Sequence, residues 1–129
     1  FKLRPDLMLQ YGDQRIIADT KYKIIYNNDS DPKNGLSQSD LYQMVAYAIR
    51  FQLTDIVLFY PDTIGNYVKD VFELDISDDL AGKEINIKAF QVPIINQNLI
   101  EGKDSPGATL EDLFAKTKQE LIKRINEVL

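Results

Sequence analysis

An aspartate at position 6, an aspartate at 19 and a lysine at 21 are of types that could together hold a divalent cation and a phosphate. Their usefulness depends on whether the chain brings them to one place. Gly12-Asp13 interrupts two stretches of alternating apolar and polar residues, Lys2 to Tyr11 and Arg15 to Ile25, and Gly at the first turn position suits a two-residue type II′ hairpin. That turn puts Tyr11 opposite Gln14, Leu9 opposite Ile16, Leu7 opposite Ala18 and Asp6 opposite Asp19. Two carboxylates facing each other at roughly 5 Å repel by about 3 kcal/mol at an effective dielectric of about 20. A cation held by Asp6, Asp19 and the carbonyl of Thr20, with water completing its shell, would offset the repulsion. Lys21 follows Asp19 at a spacing of two and shares its face, where an ammonium can hold a water or stabilise charge on phosphorus. Together these groups suit metal-assisted phosphodiester hydrolysis. With its head turned to such a pocket, Lys21 is expected to contribute less than about 1 kcal/mol to stability. Asp-x-Lys alone is common, and a surface ion pair on an edge strand accounts for many of its occurrences; the signal is the coincidence of all the parts.

Composition narrows the alternatives. The 129 residues include neither Cys nor His, which excludes thiolate and imidazole nucleophiles, bases and metal ligands. Catalysis by this chain must use carboxylates, Lys, Tyr, Gln or backbone, a set that favours hard cations such as magnesium. A formal charge of −5 argues against a free-standing nucleic-acid binder, since that affinity comes chiefly from clustered Lys and Arg. It is compatible with a catalytic module delivered to DNA by another component. No apolar run approaches the roughly 18 residues of a membrane span, and no signal peptide opens the chain, so a cytoplasmic location without membrane contact is expected. The start at Phe1 suggests a C-terminal fragment of a longer protein, residues 1–129 forming a single domain.

The elements that would position the site follow from periodicity. Asn27 to Gly35 is polar and turn-forming; its D-x-D from Asp29 fails as a calcium loop, because Asn34 stands where Gly is needed and Asp40 where Glu is needed. Ser37 with Asp40 predicts a helix N-terminus, and Leu41, Met44, Val45, Ala48 and Phe51 form its apolar stripe to about Gln52. Gln43, Tyr47 and Arg50 share a second stripe. Asp55 to Tyr60 reads as a buried strand, with further strands near Tyr67 to Ile76 and Glu84 to Val92. Thr109 with Asp112 caps a last amphipathic helix, whose Leu110, Leu113, Phe114, Leu121, Ile125 and Val128 are expected to face inward. The pattern is mixed α/β.

RPDLML, IADTKYK and DLYQMVAYA, taken in order, resemble the PD-(D/E)XK nuclease superfamily, and most of all the nuclease subunit (McrC-like) of McrBC-type modification-dependent restriction systems. The resemblance covers roughly Leu3 to Tyr60. It implies a restriction-endonuclease-like fold, a mixed β-sheet flanked by helices, here an N-terminally truncated nuclease core. Carried over, Asp6 matches the PD aspartate, Asp19 the acidic residue, Lys21 the motif lysine, and Gln43 with Tyr47 the Q-x-x-x-Y element of the RecB-like branch, where the pair contacts substrate backbone. Tyr47 is equally readable as a core aromatic. The implied activity is a Mg2+-dependent endodeoxyribonuclease, with Mn2+ able to substitute, acting on double-stranded DNA carrying modified cytosine and driven by a GTP-hydrolysing AAA+ motor subunit. Many superfamily members use a further acidic residue on a helix before the PD strand; the chain begins after that point, so the fragment alone could be inactive. Two alternatives remain: a RecB-like exonuclease or nickase, and a degenerate nuclease fold kept as an assembly module.

Overall fold

The computed structural model describes residues 2–23, 25, 30–61, 71–78, 82–94, 107 and 109–128. Its elements run β1 (Leu7–Tyr11), β2 (Gln14–Thr20), α1 (Gln38–Phe51), β3 (Asp55–Pro61), β4 (Val71–Asp78), β5 (Lys83–Val92) and α2 (Leu110–Val128). The five strands form one mixed sheet in the order β1-β2-β3-β5-β4. β1 pairs with β2, and β4 with β5, antiparallel; β2 with β3, and β3 with β5, pair parallel.

The β1–β2 register is the one the turn dictates, with Leu7 on Ala18, Leu9 on Ile16 and Tyr11 on Gln14. Gly12 has φ +60° while Asp13 is not at positive φ, as a II′ turn requires and a I′ turn does not. Both hairpin strands are shorter than the sequence alternation suggests. β1 begins at Leu7 rather than Lys2, and β2 ends at Thr20 rather than Ile25. The register would place Pro5, which has no N–H to donate, opposite Thr20, and the Thr20 N–H is taken by the Asp6 carboxylate instead. Past Thr20, Lys21 N–H donates to the Phe59 carbonyl of β3 (2.8 Å).

Side-chain alternation divides the core into two layers. On one face Ile17, Ile56, Leu58, Tyr60, Ile85, Ile87 and Ala89 pack against Leu41, Met44, Tyr47 and Ala48 of α1. On the other, Ala18, Val57, Phe59 and Phe90 form a smaller cluster that Leu9, Ile16, Val92 and Ile125 of α2 cover in part. β3 is buried from Ile56 to Tyr60, as a central parallel strand covered on both sides must be.

Ser37 caps α1 by accepting the Asp40 N–H, and Gln52 ends it in the left-handed region at φ 57°. Thr109 and Asp112 bond reciprocally at the start of α2, a capping box with Asp in the usual Glu position. The inward stripe expected of α2 is only partly realised. Leu110 and Phe114 are exposed, whereas Ile125 near the other end packs on the sheet. Nineteen residues of helix extend about 28 Å, and a periodic stripe does not say how much of that length the sheet covers. The Val128 side chain, most of the Tyr67 to Ile76 region before Val71, and Asp29 of the rejected calcium loop lie outside the described residues. In that loop Asp31 accepts the N–H groups of Lys33 and Gly35, a turn-forming use of its carboxylate.

Candidate functional site

β2 carries the site at the edge where the two-stranded antiparallel part of the sheet meets the parallel part. Ile17 lies on the α1 face, so Asp19 and Lys21, two and four residues on, are directed to the same side. Asp19 is buried and paired with Leu58 of β3 in register. The Lys21 ammonium donates to the Asp19 carboxylate and to Gln43 Oε1 (2.7 Å). Gln43 Nε2 in turn donates to the Tyr47 hydroxyl (2.8 Å), which donates to the Arg4 carbonyl (2.8 Å). One hydrogen-bonded chain therefore runs from β2 through two successive turns of α1 to the segment entering β1. The i, i+4 spacing of Gln43 and Tyr47 puts both on the same helix face.

Both readings of Tyr47 hold at once. Its ring is buried in the main core and lies 6.4 Å from the Phe51 ring, while its hydroxyl fixes which way the Gln43 amide points. Arg50, on the same sequence stripe, is exposed. The side chains of Lys21 and Asp19 are 11% and 4% exposed, so this is not the exposed surface pair that a lone Asp-x-Lys would suggest.

Asp6 lies just before the β1–β2 ladder, whose last pair is Leu7 with Ala18, and its carboxylate turns to Thr20. Its Oδ2 accepts from the Thr20 hydroxyl (2.7 Å) and the Thr20 N–H (2.8 Å). The hydroxyl bond, then the backbone bond, hold the Asp6 carboxyl below the usual carboxylate value against a small opposing effect of burial, with help from the Lys21 charge. Asp6 thus remains an anion at neutral pH within electrostatic reach of Lys21. Thr20, expected to offer its carbonyl, makes its described contacts through its N–H and hydroxyl, which orient Asp6.

A second polar cluster went unnoticed in the sequence. Asp40, buried in the first turn of α1, accepts from Lys23 Nζ (2.8 Å) and from the Tyr60 hydroxyl (3.2 Å). Burial pushes its carboxyl up, but bonds from Lys23 and Ser37, the Lys23 charge and the Tyr60 bond outweigh it, leaving the group below its usual value. The Tyr60 hydroxyl is pushed well up, first by burial, then by the Asp40 charge and hydrogen bond, and last by the Asp19 charge. Lys23 continues the Asp19–Lys21 period of two, which is the signal that could have found it. As β2 and its extension run from 19 to 23, α1 runs from 47 back to 40, so Lys21 meets Gln43 and Lys23 meets Asp40.

As a cation site the donor set is hard and oxygen-only: two carboxylates, with no group of three or more acidic or imidazole ligands among the described residues. Carboxylate oxygens are the donors that hard cations such as magnesium take, with water completing the shell. No helix among the described residues is long and apolar enough to cross a membrane.

Residues 1–61 match the family model for the McrBC 5-methylcytosine restriction system component. The matched stretch runs from before β1 to the last residue of β3 and contains Asp6, Asp19, Thr20, Lys21, Gln43 and Tyr47. Over these residues the chain is similar to that component. Comparison with curated proteins and with solved structures gave no match.

Proposed function

We propose that this domain is the phosphodiester-cleaving part of a modification-dependent restriction system, a magnesium-dependent endodeoxyribonuclease of the PD-(D/E)XK kind. The carrying observation is the Asp19–Lys21–Gln43–Tyr47 chain: a buried carboxylate and a largely buried ammonium, joined and oriented from α1, beside the anionic Asp6. A structural ion pair does not need a glutamine whose other end is fixed by a buried tyrosine. Preorganised donors of this kind are what stabilise charge developing in a transition state.

Asp6 and Asp19, with the Thr20 carbonyl, are the groups that would hold the cation. When bound, magnesium supplies Lewis-acid screening of the phosphate and lowers the pKa of a coordinated water. Asp19 orients Lys21. Lys21 would hold the nucleophilic water or face the non-bridging phosphate oxygen. Gln43 fixes the ammonium from the other side and offers its amide to the substrate backbone. The acidic overall charge fits a module brought to DNA by a GTP-hydrolysing partner, in line with the restriction-system similarity of residues 1–61.

Isothermal calorimetry with manganese tests the cation site. Two carboxylates make an incomplete cage, so binding at millimolar or weaker affinity is expected for the wild type and none for Asp19→Asn. Equal binding by both proteins would remove the site.

A further inference from the structure

Two lysines and two carboxylates form neighbouring ion pairs between α1 and the sheet. The Lys21 ammonium is shared by Asp19 and Gln43 Oε1. The Lys23 ammonium donates to Asp40 Oδ1 at 2.8 Å and lies 3.5 Å from the Ser37 hydroxyl. The side chains of Asp19 and Asp40 are only 4% and 6% exposed, so each is an anion that needs a cation close by. Tyr60 gives Asp40 Oδ2 a neutral hydroxyl. The positive charge paired with Asp40 among the described residues is that of Lys23.

The two pairs are close enough to exchange partners. Asp40 and Gln43 are three residues apart on α1, a spacing that puts Cβ atoms about 5–6 Å apart. The ammonium bonded to Gln43 is therefore about one helical turn from Asp40. Past Thr20 and Phe59, the last β2–β3 pair, the Lys21 N–H bond to the Phe59 carbonyl carries the chain on beside Tyr60, whose hydroxyl is bonded to Asp40. That hydroxyl is pushed well up in pKa by burial first, then by Asp40, and also by the Asp19 charge, so both carboxylates act on one buried point. A lysine head sits on a flexible four-carbon stem. Without Lys23, the single charge of Lys21 would be divided between two buried anions.

We infer that Lys23 is a positioning residue for the proposed cleavage site: by neutralising Asp40 it leaves the Lys21 ammonium to Asp19 and Gln43. This rests on the nuclease reading, and Lys23 acts through Asp40 and Lys21 without touching substrate.

Proton–nitrogen correlation spectra of the lysine ammonium groups, recorded at low temperature, test it directly, the Lys21 signal being the one lost in Lys21→Met. Lys23→Met should move that signal. Lys23→Met combined with Asp40→Asn should return it to near its wild-type position, because no competing anion remains, and Lys23→Arg, which keeps the charge opposite Asp40, should leave it in place. Cleavage of methylated plasmid with the proposed GTP-hydrolysing partner should follow the same order. Lys23→Met should lower kcat about 100-fold, the effect of a misplacement of about 1 Å, with KM little changed, and both the double variant and Lys23→Arg should recover it. If Lys23→Met does not fold, Lys23→Gln, which keeps a donor for Asp40 but no charge, takes its place. An unmoved Lys21 signal in the single variant would overturn the inference. So would a loss of cleavage that the double variant does not recover, the mark of a merely structural ion pair. In either case an inactive Lys21→Met leaves the nuclease reading standing, whereas cleavage by Lys21→Met at the wild-type rate would overturn both.

Discussion

Replacing Lys21 by methionine keeps the length and most of the volume of its stem and removes the charge. In the wild type the ammonium sits between the Asp19 carboxylate and Gln43 Oε1, with 11% of its side chain exposed and 4% of that of Asp19. The variant leaves a buried anion unpaired, which typically costs about 3–5 kcal/mol; because Lys21 is not wholly dry, about 3 kcal/mol is expected. For a domain of this size that lowers Tm by about 10 °C. Asp19→Asn keeps an acceptor for Lys21 and should cost about 1–2 kcal/mol. In the double variant neither charge is present, so its loss should fall short of the summed single losses by about 2 kcal/mol or more. Urea unfolding of the four proteins at neutral pH supplies the cycle. If Asp19 holds a cation, magnesium should also raise the Tm of Lys21→Met more than that of the wild type, since the ion replaces the missing charge. A loss below about 1 kcal/mol for Lys21→Met, or additivity within about 0.5 kcal/mol, would refute the picture of a buried, coupled pair and restore that of a solvated surface contact.

Two further expectations follow from the hydrogen-bond chains. Tyr47→Phe keeps the buried ring but leaves the Arg4 carbonyl and Gln43 Nε2 without their partner; a loss of about 1–3 kcal/mol in urea unfolding is expected, with a fall in kcat larger than any rise in KM. Asp40 has a depressed carboxyl pKa, so its contribution to stability is fully present above the ordinary value of 3.8 and is lost as pH falls through its lower folded value. Asp40→Asn should therefore be less stable than the wild type at neutral pH, by about 1–3 kcal/mol, and the gap should narrow below about pH 4 as the wild-type carboxylate facing Lys23, Ser37 and Tyr60 takes up its proton. A gap that stays constant down to about pH 2 on acid titration by circular dichroism would contradict that assignment.

The parts of the fold that local chemistry controls were legible in the sequence. Gly12-Asp13 specifies one hairpin register, Ser37 with Asp40 one helix start, and the unbroken apolar run after Asp55 a strand buried on both faces. The site was legible to the same extent, because period two on β2 and i, i+4 on α1 put Asp19, Lys21, Gln43 and Tyr47 on facing surfaces. What depended on tertiary contact was not. The end of β2 is set by Pro5 and by the hydrogen bonds that Thr20 donates to the Asp6 carboxylate, not by the alternation, which continues to Ile25. Asp40 was recognisable as a capping neighbour, but its inward partners come from the chain beyond β2 and from β3. The burial of Lys21 depends on α1 lying across it, so the cost expected of its loss is larger than the alternation alone suggested. Along α2, periodicity identified the stripe but could not show that the sheet covers Ile125 and leaves Leu110 and Phe114 in water.

Phosphodiester cleavage at Lys21 is tested most directly on methylated plasmid. The plasmid is incubated with saturating magnesium, GTP and the proposed GTP-hydrolysing partner, comparing wild type with Lys21→Met at a temperature where both are folded. Losing one preorganised electrostatic contact to a transition state lowers a rate about 100- to 1000-fold; cleavage should fall by that factor while GTP hydrolysis and complex assembly stay near the wild-type level. Cleavage by Lys21→Met at the wild-type rate would contradict the assignment of this site as the nuclease centre.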